Sequence, residues 1–143
     1  MCSLNELKAP FPKSLLLYIC SRVCTFLEKV HSIGWIIGDI SNHLIFISAT
    51  GEIDVGDFGG AVEIGSSLVE YSLDYYPFDN NVASPTIDYI CLIVTILELH
   101  QWLPSFKDFA GLAEIVHGLA NLEIQEALLG ILERISLPEK GKF

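Results

Sequence analysis

The stretch Trp35-Ile36-Ile37-Gly38-Asp39-Ile40-Ser41-Asn42-His43-Leu44, followed at a distance by Asp57-Phe58-Gly59, decides how this chain is read. Residues 38–43 form a polar loop set between two different apolar patterns. Upstream, Leu16, Ile19, Cys20, Val23, Phe26, Leu27 and Val30 recur at intervals of three and four. That spacing predicts a helix over residues 14–31, with Pro12 near its start and Gly34 ending it. Downstream, two short β-type runs, 44–48 and 53–55, flank Ala49-Thr50-Gly51-Glu52, where Gly51 suits a hairpin turn.

Farther along, residues 59–84 mix glycines, Pro77 and the Asp79-Asn80-Asn81 cluster without a sustained period, which predicts an irregular segment given to function or partner contacts. Ser84 then offers an N-cap and Pro85 a first helical residue for a helix running to about residue 100. Ile87, Ile90, Leu92, Ile93, Val94, Ile96 and Leu97 make that helix apolar nearly all round, so it is expected at the centre of the core. Two weaker amphipathic patterns, 106–119 and 123–135, predict packing helices joined near Asn121, and 138–143 read as a frayed end. The whole is a mainly α fold with a small β-hairpin, in the order helix, loop, hairpin, irregular segment and three helices. At 143 residues it fits one domain, 1–143.

Composition narrows the function classes. A net charge of −10 lacks the basic footprint that the nucleic-acid backbone requires, so nucleic acid is not an expected partner. Residues 1–10 lack a charged region followed by an apolar one, and no secretory signal is read there. The longest apolar run, 89–97, is about half of what a bilayer span needs. Membrane insertion is therefore not expected, and a cytoplasmic, intracellular setting is. The 51% hydrophobic content exceeds what the interior of an ordinary domain uses, so some apolar surface is expected to meet a protein partner. The four cysteines, 2, 20, 24 and 91, form no CxxC pair and read as reduced core residues.

Phosphoryl transfer needs one carboxylate to orient the attacking hydroxyl and another to hold magnesium on the phosphates. Asp39, in a loop directly after a helix, and Asp57, directly after a β run, fit that need, and the hairpin between them brings both to one side. Asp-Phe-Gly after a short strand, with a loop aspartate 18 positions earlier, resembles the arrangement of eukaryotic-type protein kinases. The string 31–41, His-Ser-Ile-Gly-Trp-Ile-Ile-Gly-Asp-Ile-Ser, resembles the helix end and catalytic loop of that family. Thr86-Ile87-Asp88-Tyr89-Ile90-Cys91-Leu92 is similar to the start of its central helix. The likeness covers about 14–135. The Gly-Asp-Ile-Ser loop and the Asp-Phe-Gly-Gly-Ala run also resemble the kinase domains of lanthipeptide synthetases.

The resemblance implies the C-terminal lobe of a Ser/Thr protein kinase, with ATP and Mg2+ as cofactors and 60–84 as an activation-segment-like region. It implies that Asp39 is the catalytic residue, that Asp57 binds the nucleotide through magnesium, that Asp88 braces the catalytic-loop backbone, and that Gly59 is structural. The departures are equally plain. Ile37 and Gly38 replace the His and Arg of the family's His-Arg-Asp, and Leu44 stands where an asparagine should hold the second magnesium. Asn42, two residues earlier, is the substitute considered for that role. Loss of the arginine removes the usual partner of a phosphorylated activation segment. Tyr76-Pro77-Phe78 is the nearest remnant of the family's Ala-Pro-Glu.

Thirteen residues precede the first helix, which leaves no room for a Gly-rich phosphate loop, a strand lysine or a helix glutamate. Phosphoryl transfer is therefore expected only if an N-terminal lobe completes the chain, and the chain alone is expected to be inactive. The competing expectation is a pseudokinase-type scaffold that binds a protein without catalysis.

Overall fold

The computed structural model describes residues 2–7, 10–56, 60–67, 82–101 and 103–135. Helix α1, Lys13–Ser32, follows Pro12 and stops at Gly34, whose φ of +88° is a backbone conformation that side chains disfavour. Gly34 donates its N–H to the His31 carbonyl at 3.0 Å, closing the last turn. The buried stripe Leu16, Ile19, Cys20, Val23, Cys24 and Leu27 is the face read from the three-and-four spacing.

Strands β1, Cys2–Ser3, β3, Ile45–Ile47, and β4, Ile53–Val55, form an antiparallel sheet in the order β1-β3-β4. The β3–β4 hairpin is the expected one, with Ile45 opposite Val55 and Ile47 opposite Ile53. Its turn passes through Gly51 at φ +86°. The third strand corrects the reading of a lone hairpin: Cys2 pairs with Ile47 and Ser3 with Phe46. Leu4, in the 3-10 turn Leu4–Glu6, is fully buried and anchors this segment to the core.

A second sheet corrects the irregular reading of 59–84. Strand β2, Trp35–Ile36, pairs antiparallel with β5, Val62–Glu63, with Trp35 opposite Glu63 and Ile36 opposite Val62. Runs of two residues are too short to carry a period, so neither could be seen as a strand beforehand. Residues 68–81 of that segment and the end at 138–143 lie outside the described residues.

Helix α2, Pro85–His100, has thirteen of its sixteen residues buried and is the central helix that its all-round apolar pattern predicts. Each fully buried Ile or Leu there contributes about 1.5–3 kcal/mol relative to exposure. The buried hydroxyl of Thr95 is satisfied locally, Oγ1 donating to the Cys91 carbonyl at 2.7 Å. Helices α3, Phe109–His117, and α4, Leu122–Glu133, pack around it. Helix α3 begins three residues later than its apolar pattern suggests, because Asp108 caps it by accepting from the Gly111 N–H at 2.7 Å. Phe106 is buried ahead of that cap as part of the incoming chain. Asn121 caps α4 through the N–H groups of Glu123 and Ile124, both at 3.1 Å.

Candidate functional site

The loop joining β2 to β3 is held at its front by α2. Asp88, in the first turn of α2, is fully buried, and a carboxylate there needs donors to offset the loss of water. It has three. Ile37 N–H donates to Oδ2 at 3.0 Å, Gly38 N–H to Oδ1 at 2.8 Å, and His31 Nε2 lies 2.8 Å from Oδ2. A carboxylate only accepts, so Nε2 carries the proton in this contact. The last turn of α1, the loop and the start of α2 thus meet on a single side chain.

Gly38 sits in this clamp at φ +83°. A residue with a Cβ would be strained in that conformation, which gives a physical reason for glycine where the kinase pattern has arginine. The next residue, Asp39, is half-buried. Cys91, one turn beyond Asp88, relates the two carboxylates. Its thiol is pushed well above the ordinary range by burial first, then by the negative charges of Asp88 and Asp39. Asp39 follows directly on the two residues whose N–H groups Asp88 holds.

The rear of the loop is built differently. Ser41 accepts the His43 N–H on its Oγ at 3.2 Å and the Leu44 N–H on its carbonyl at 3.1 Å, which makes a tight turn. The Asn42 carbonyl accepts the Asn5 N–H at 3.0 Å, tying the N-terminal segment to the loop. Leu44 is 8% exposed and packs in the core. A hydrocarbon side chain turned inward has no lone pair for a metal, so this loop does not supply the second magnesium ligand at position 44. Asp57 and Gly59 lie outside the described residues, but the strand leading to them is set: Gly56 N–H donates to the Leu44 carbonyl at 3.0 Å. A Cβ on Gly56 would stand 3.2 Å from the Phe46 ring, so glycine lets the ring lie against the chain there. Among the described residues, no three His, Cys, Asp or Glu side chains cluster to hold a metal ion.

Sequence reasoning did not assign His31 and Tyr89 to this site. The Tyr89 ring meets the His31 imidazole edge-on, with centroids 5.3 Å apart and planes at 80°, and the Arg134 guanidinium lies 5.8 Å from the Tyr89 centroid. Burial raises the Tyr89 phenol above its ordinary range, against the pull of Arg134. The signal for His31 was its place at the end of α1, one turn before a loop that needs a donor.

No protein-family model matches the chain, and no curated protein matches it by sequence. By structure it is similar to the kinase PK-1 of Cydia pomonella granulovirus, with a TM-score of 0.64 and 14% identity. The fold is protein-kinase-like. The likeness covers 69% of this chain but only 39% of that kinase, so the chain spans well under half of its structural neighbour. At this identity the likeness speaks to the fold, and the kinase-like architecture agrees with a mainly helical chain carrying small antiparallel sheets. Among the described residues no helix is long and apolar enough to cross a membrane.

Proposed function

We propose that this chain is a divergent C-terminal lobe of a Ser/Thr-type protein kinase, which transfers the γ-phosphoryl group of ATP once an N-terminal lobe completes the nucleotide cleft. The observation that carries this reading is the Asp88 clamp on Ile37 and Gly38, immediately before Asp39. A loop fixed at that point gives Asp39 a defined origin, which a residue orienting a substrate hydroxyl requires. In this reading Asp39 accepts the hydroxyl proton and Asp57 faces the magnesium-bound phosphates. The phosphate-holding amides and the lysine come from a lobe outside these 143 residues, and 60–84 meets the protein to be phosphorylated.

A specific observation favours a second reading. Leu44 is buried in the core where the family pattern holds metal, which fits a pseudokinase-type scaffold that binds a partner without transferring phosphate. The two readings separate in one assay. The chain is joined to a kinase N-terminal lobe and supplied with magnesium, labelled ATP and a general Ser/Thr substrate. Transfer that disappears in Asp39→Asn supports the enzyme; absence of transfer in both proteins, with folding intact, supports the scaffold.

A further inference from the structure

On the buried face of α1, Cys20 and Cys24 stand one helical turn apart. Both line a groove of about 320 Å³ between α1 and α4, together with Glu28, Gly130 and Arg134. The two residues are only 6% and 7% exposed, so each meets the groove with a small part of its surface. Glu28, the next residue along the same face, is engaged by Arg134 across the groove. Positions i and i+4 on a helix put Cβ atoms about 5–6 Å apart. A disulfide needs them at about 3.5–4.5 Å, so closing one here would distort α1. A single atom bonded to both sulfurs bridges a longer separation than a direct S–S bond does.

We propose that Cys20 and Cys24 form a two-thiolate binding site for a soft monovalent metal ion of the Cu(I) class. Thiolates select soft ions, and Cu(I) is satisfied by two sulfur ligands. Zinc would need four ligands, and among the described residues no third His, Cys, Asp or Glu side chain joins the pair in a metal-holding cluster. Thiolates, not thiols, bind the metal, so binding releases protons and depends on pH. On binding, both S–H protons pass to solvent, each sulfur donates a lone pair to the ion, and no electrons change hands.

The test titrates the full chain, reduced and free of oxygen, into Cu(I) held by a coloured chelator. The expected result is one Cu(I) withdrawn per chain, unchanged in Cys2→Ala and lost in both Cys20→Ala and Cys24→Ala, whose folding is followed by circular dichroism. X-ray absorption on the wild-type chain gives a readout independent of the variants and should show two sulfur neighbours on copper. No withdrawal of Cu(I) by the wild-type chain, or copper bound through nitrogen and oxygen only, would overturn the proposal.

Discussion

The two ends of one loop, seven residues apart, have been treated in opposite ways. At Ile37 and Gly38 the backbone is locked by a buried carboxylate that collects three donors, an arrangement that is costly to bury and unstable if any part is removed. At Leu44 the chain gives its side chain to the core and makes no polar demand. The front end is therefore fixed by polar contacts and the rear end by packing. A kinase-like fold thus combines, within one loop, a polar clamp just before Asp39 and an apolar anchor behind it.

The strongest way to break this contrast is Asp88→Ala. It strands two buried N–H groups and the His31 imidazole, and should lower stability by about 3–5 kcal/mol in urea unfolding. A loss under about 1 kcal/mol would mean that the clamp is not what fixes the loop. Leu44→Asn attacks the other end: placing an amide in the core should cost about 2–3 kcal/mol, and in a chain joined to an N-terminal lobe it should raise magnesium-dependent phosphoryl transfer. Equal transfer before and after the change would place the chemical defect elsewhere. The smallest effect is expected for Gly38→Ala, about 1–2 kcal/mol from backbone strain at φ +83°. Thermal melts should rank the three variants in that order.

Legibility in the sequence followed the length of each element. Helices α1 and α2 carry sustained periods and capping signals, and both were placed to within a residue or two. Strands β1, β2 and β5 are two residues each, and their existence depends on partners distant in sequence, such as Ile47 for Cys2 and Glu63 for Trp35. Leu4 gave no periodic signal at all, yet it is fully buried because β1 pairing carries it inward. In the site, Asp88 could be singled out because a carboxylate heading an apolar helix needs donors. His31 as one of those donors, and the positive φ of Gly38, are properties of the assembled loop rather than of any local pattern. Asp57 and Gly59 lie outside the described residues, so their proposed roles still rest on the Asp-Phe-Gly resemblance.

The most direct test of the account is calorimetric titration of residues 1–143 with ATP in the presence of magnesium. If, as proposed, the phosphate-holding groups come from a lobe outside these 143 residues, binding should be undetectable or no tighter than about 1 mM, equivalent to about 4 kcal/mol. Addition of an N-terminal lobe should tighten it. Micromolar, magnesium-dependent binding by these residues alone would contradict the account and require a nucleotide site built from different groups.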